Sequence, residues 1–127
     1  MAAPNILAAT TATPHTVSIT PADTSRNALV TAPASGSAQK INEITVSNID
    51  GASAYNATVE LRLADGTTYR SIASTISVPA NASLIVSDKS TMFYLLDTSV
   101  TGEASTLWVT SGVASKLTFT VSYETIS

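Results

Sequence analysis

The stretch "KLTFTVSYETIS" (116–127) decides the fold. Leu117, Phe119, Val121 and Tyr123 alternate with Thr118, Thr120, Ser122 and Glu124, so an extended chain here is apolar on one side and polar on the other. Chain ends usually fray, yet this one is written as a core strand. Each of its large apolar side chains, fully buried, contributes about 1.5–3 kcal/mol. A two-sheet sandwich gives such a strand a place between two neighbours, with only Ile126 and Ser127 expected to fray.

Working outward, the same period of two recurs. "INEITVSNI" (41–49) alternates Ile44 and Val46 with Thr45 and Ser47, and "DGASAY" (50–55) reads as a turn and short loop. "YNATVELRLADGTTYRSI" (55–72) is the clearest hairpin. Val59, Leu61 and Leu63 face one way, Thr58, Glu60 and Arg62 the other, and Asp65-Gly66 is a two-residue turn signal. Tyr69 is expected on the return strand near Arg62 or Leu61. "STISVPANASLIVSD" (74–88) gives two short strands broken at Pro79, since proline inside a strand forfeits a ladder hydrogen bond. "TMFYLLD" (91–97), "TLWVTS" (106–111) and the closing strand complete the series. Strands at such spacing, with turn signals between them and no helical stretch, predict an all-β, antiparallel two-sheet β-sandwich, jelly-roll or Ig-like.

Residues 1–40 differ. They hold four of the five prolines and only brief apolar clusters, and "TAPASGSAQK" (31–40) reads as a loop. We divide the chain into an extended N-terminal arm (1–40), with short edge strands, and a sandwich domain (41–127). The arm is either an irregular extension or a segment that orders on a neighbouring subunit.

A chain of 127 residues can bury a core without cross-links, and it has no cysteine to make any. Six basic residues stand against nine acidic ones, net −3, which disfavours a phosphate-binding surface and so nucleic acid as a partner. Only 12% of residues are charged, which suits strands with hydroxyl-covered outer faces and suggests a surface partly covered by other subunits. "MAAPNILAATTATPHTV" lacks the basic start of a secretion signal, and no apolar run approaches the roughly 18 residues of a spanning helix. The expectation is a soluble chain made in the cytoplasm, with no membrane partner.

The search for chemistry finds little. His15 is the sole histidine, with no cysteine or second histidine to share a metal or a proton relay. Asp50, Asp65 and Asp97 fall at turns, where aspartates bond local backbone N–H groups. Glu60 and Arg62 read as a solvated pair. Neither a nucleophile elbow nor a glycine-rich phosphate loop is present. The sequons "NAT" (56–58) and "NAS" (81–83) have no secretory signal beside them. We expect no enzyme, no cofactor and no metal.

Interaction is the remaining theme. Trp108 alternates with Leu107 and Val109, so it is either this strand's core residue or an outward contact. "MFYLL" (92–96) is apolar on both faces, as in a central strand or one covered by a partner. Candidate subunit-interface residues are Ile6, Leu7, Val17 and Ile19 in the arm, Met92 and Tyr94 in the apolar strand, and Trp108.

From residue 41 onward, the order of motifs resembles small β-sandwich virion proteins of tailed bacteriophages. A strand ending in Asn48 leads to the "ATVELRLADGTTYR" hairpin, the "VPANASLIVSDK" corner, an apolar "FYL" and the closing "VSYETIS". Each motif alone is weak, and their order is what resembles the family. The chain departs from it at "LLDTSVTGEASTLWVTSG", where Gly102-Glu103 is not followed by the family's Asp, and the arm lies outside the resemblance. What the resemblance implies is a non-enzymatic virion structural protein. Capsid decoration (cement) leads, with the major capsid protein or other virion proteins as partners and a homo-oligomer, trimeric if cement. Neck, tail and baseplate components are the alternatives. A receptor- or carbohydrate-binding module anchored on Trp108 and Tyr55 is the reading from a different class.

Overall fold

The computed structural model describes residues 11–127. Two antiparallel sheets pack face to face. The first is ordered β1 (Ala12–Ile19), β9 (Leu117–Ile126), β3 (Ala38–Asn48) and β6 (Ser83–Ser87), with β7 (Phe93–Leu96) also paired to β3. The second is ordered β2 (Arg26–Val30), β8 (Ala104–Ser111), β4 (Tyr55–Leu63) and β5 (Tyr69–Val78). A 3-10 turn, Lys89–Thr91, capped by the Asp88 carboxylate, joins β6 to β7.

The pairings nest: β1 with β9, β2 with β8, β3 with β6, β4 with β5. That is one long hairpin of strand pairs rolled into a sandwich, the jelly-roll arrangement, with β7 added beside β3. Of the two sandwich types open from the sequence, this is the one formed.

β9 is the centre of the first sheet, bonded to β1 on one side and β3 on the other. Leu117, Phe119 and Val121 are fully buried, and they meet Ile41, Ile44, Val46, Leu95, Leu107, Val109 and Val59 in one core. The expected fraying of Ile126 and Ser127 is corrected. Ile126 pairs with Ala12 and Ala38, and Ser127 exchanges two backbone bonds of 3.0 Å with Thr11.

Residues 12–40 also differ from an irregular extension. β1 and β2 lie here, and each hydrogen-bonds into a different sheet, at its edge. β3 starts at Ala38, so the loop expected over 31–40 ends three residues early. Pro21 is buried, and its carbonyl accepts the Ser115 N–H at 2.8 Å, which ties this segment to the loop before β9.

The turn between β4 and β5 is longer than a two-residue hairpin. Leu63 N–H bonds Thr68 C=O, and the Asp65 carboxylate accepts both the Thr67 and Thr68 N–H groups at 2.9 Å. Gly66 takes the positive φ (75°) that this loop requires. Gly112 answers a different need: a Cβ there would stand 2.8 Å from the Asn56 carbonyl that its own N–H bonds.

Candidate interaction surface

The inward faces of the two sheets are used up by the core, so any site lies on the outward faces or at the ends. On the second sheet's outward face, Trp108 of β8 stands opposite Glu60 of β4 and Ala28 of β2, while Arg62 stands opposite Thr106 and Tyr69. Leu107 and Val109 are fully buried, so the core reading of Trp108 is corrected: its ring points out, half-buried. Its Nε1–H donates to Thr106 Oγ1 at 2.9 Å, which fixes the ring on the sheet.

Long side chains from four strands gather around it. Arg26 donates from Nε and a terminal nitrogen to the two Glu60 oxygens, at 2.9 and 3.3 Å. This hydrogen-bonded carboxylate holds the Arg26 guanidinium above its ordinary pKa. The same guanidinium lies 3.8 Å over the Tyr69 ring, Tyr69 meets Trp108 edge-on at 6.1 Å, and Arg62 lies 4.8 Å over Trp108. The solvated Glu60–Arg62 pair expected from their spacing is therefore corrected. Glu60 is buried and engages Arg26, from 34 residues earlier in the chain, while Arg62 covers an indole.

The other sequence-derived candidates fall elsewhere. Val17 and Ile19 sit on the inward side of β1, opposite Val121 and Phe119, and pack on the sandwich's own core. Met92 is exposed just before β7, and Tyr94 is half-buried opposite Lys40. Those two belong to the first sheet and Trp108 to the second, so no single face unites them. Ile6 and Leu7 lie outside the described residues. Tyr55 packs against the core and donates its hydroxyl to Asp50 at 2.7 Å, so it does not join Trp108 in a common aromatic platform.

Two of the motifs that carried the resemblance, the strand ending in Asn48 and the turn at Pro79, meet at one corner. Asn48 Nδ2 donates to the carbonyls of Ser53 (2.8 Å) and Val78 (3.0 Å), and its Oδ1 accepts the Asp50 N–H at 2.9 Å. Asp50 C=O accepts the Asn81 N–H, and the Pro79 turn closes through Ala82. The Tyr55 hydroxyl holds the Asp50 carboxyl below its usual range and is itself pushed up. Asp65 and Asp97 likewise cap their own turns, Asp65 with its pKa lowered to about 2 by the Thr68 hydroxyl and two backbone N–H groups. The Asp50 and Asp65 carboxylates are occupied by these bonds, whereas Asp97 uses Oδ1 and leaves its buried Oδ2 without a partner.

Among the described residues, no group of three or more His, Cys, Asp or Glu side chains is placed to hold a metal ion. His15 stacks on Tyr123 at 4.8 Å, on the inward side of β1. An open depression of about 270 Å³ between the β4–β5 loop and the loop before β8 contains one charged residue, Asp65, already bonded to its own turn. No helix among the described residues is long and apolar enough to cross a membrane.

No protein-family model matches the chain, and no curated protein matches it. Among solved structures, it is similar to a chain from T=1 particles derived from infectious bursal virus, at 16% identity and a TM-score of 0.35, over 89% of this chain and 31% of that one. Chains of the infectious bursal disease virus Gt and Gx strains match at 16% identity over 89% of this chain, with TM-scores of 0.31 and 0.32. The chain spans about a third of the length of those chains (31%, 32% and 36%).

Proposed function

We propose that this protein is a non-enzymatic structural component of a tailed-bacteriophage virion, a capsid cement protein that bridges capsid subunits as a homo-oligomer. The observation that carries the reading is the ordered series of motifs over 41–127, from the strand ending in Asn48 to the closing "VSYETIS". The corner in which Asn48, Asp50, Tyr55 and Pro79–Asn81 interlock gives two of those motifs a common structural role, which supports the reading. Low charge and a single histidine agree with a role in assembly rather than catalysis. On a symmetric shell, many weak contacts made at once hold such a protein more firmly than one strong contact.

The test is a copy count by quantitative mass spectrometry of purified particles. A cement protein is present on the order of hundreds of copies, whereas a neck or tail ring carries about six or twelve. The lower count would move the protein from the head to the neck or tail. Absence from the particle would overturn a virion role altogether.

A further inference from the structure

We propose that Arg62, lying on Trp108 in the outward face of the second sheet, is the anchor of a binding site for a carboxylate carried by an acidic segment of a partner protein. The inference does not rest on the virion reading. It rests on a charge left without a counterpart. Arg62 is half-buried, and its Nε is buried with no hydrogen-bond acceptor. Among the described residues it has no carboxylate within ion-pair distance; Glu60, on its own strand, is held by two bonds from Arg26. A half-buried guanidinium without an anion is costly, and its planar fork suits a carboxylate better than any other protein group.

The occupied ring faces choose between ligand classes. Sugars and bases bind by stacking on a bare aromatic face. Here Arg62 covers Trp108 and Arg26 covers Tyr69 at 3.8 Å, so a stacked ligand would have to displace a cation first. A carboxylate displaces nothing. It meets the terminal nitrogens of the guanidinium from the solvent side, Nε being enclosed, with the indole holding that group in place, and Arg26–Glu60 beside it adds no net charge. Other basic side chains also lack an ion pair, but Arg62 is the one laid on Trp108 with its Nε enclosed, and a single such cation is complementary to a carboxylate and unsuited to a polyanion that needs a broad basic surface.

The chain has one tryptophan, so its indole N–H signal reports on this site alone. The ¹⁵N-labelled protein is titrated at low salt with a hexaglutamate peptide, with hexaglutamine and trigalacturonate as comparison ligands. Hexaglutamate is expected to shift the signal saturably, in the millimolar range or tighter, and hexaglutamine not at all. In a folded Arg62→Gln variant the affinity falls about tenfold or more, Arg62→Lys retains part of it, and 0.5 M salt weakens all binding. The proposal is overturned by an unsaturable response or by equal affinity in Arg62→Gln. Tighter binding of trigalacturonate than of hexaglutamate would overturn the assignment to acidic protein.

Discussion

The two outward faces of the sandwich are built on the same inward alternation and are finished in opposite ways. Across the first sheet, Ser18, Thr120, Thr45 and Ile85 form one row, with Thr20, Thr118, Ser47 and Ser83 in the next. In the second row hydroxyls bond one another directly, Thr20 with Thr118 at 2.8 Å and Ser47 with Ser83 at 2.7 Å. Across the second sheet, Arg26, Glu60, Arg62, Tyr69 and Trp108 reach over several strands to find partners. Short side chains close a face locally, whereas long ones make it depend on the register of four strands. The second face is therefore the one on which single substitutions have consequences.

The comparison breaks most completely if the shared inward side is removed. A chain ending at Ser115 loses β9, and with it the whole ladder of β1 and one of the ladders of β3; it is expected to be insoluble, and a soluble β-rich product by circular dichroism would refute the central position of this strand. Phe119→Ala, within the same strand, should cost about 3–5 kcal/mol in urea unfolding, because Phe119 is fully buried. Next is the corner: Asn48→Ala leaves two carbonyls and an N–H without partners and should cost about 1–3 kcal/mol by the same measurement.

On the outward faces the effects become smaller and unequal. Trp108→Ala should destabilise by about 1–2 kcal/mol, less than Phe119→Ala, since part of the indole is already in water. Thr120→Val, on the hydroxyl face, should change stability by no more than about 0.5 kcal/mol. Equal losses at Trp108 and Thr120 would erase the contrast between the faces.

Acid sharpens a different part of the picture. Asp50, Asp65, Asp88 and Asp97 all have carboxyls held below the ordinary 3.8, Asp65 at about 2; the Tyr55 hydroxyl does so for Asp50, and bonds to their own turns do so for the others. A carboxyl whose folded pKa lies below its unfolded one contributes stability that is fully present above about pH 4 and lost as pH falls toward 2. The melting temperature should therefore drop between pH 4 and pH 2 and stay level from pH 5 to 7. Replacing Asp65 with Asn should remove part of that drop.

Much of this was legible in the chain because it is local. Turn aspartates announce themselves by position: Asp50, Asp65 and Asp97 each bond the backbone two residues on. Pro79 ends β5 for lack of an N–H, and Tyr69 stands opposite Arg62 because a hairpin brings near neighbours together. The Arg26–Glu60 pair was invisible for the opposite reason: nothing near either residue marks the other as its partner. β1 gave only a weak signal. Its outward residues Pro14, Thr16 and Ser18 and inward His15, Val17 and Ile19 read as a loose arm until β9 supplies the ladder.

The sequence by itself determined the kind of layers and where several turns fall, at Asp50, Asp65, Pro79 and Asp97, since a period of two and the chemistry of Asp, Gly and Pro act within a few residues. It also determined that the closing strand belongs to the core. Only the tertiary structure decided which strands are neighbours, that the roll is a jelly roll, and that Trp108 faces outward. β8 offers apolar side chains to both sides, so its own pattern cannot choose between them. The choice came with the opposite sheet: Leu107 and Val109 join Phe119 and Val121 in one buried core, and the alternation then turns the indole outward.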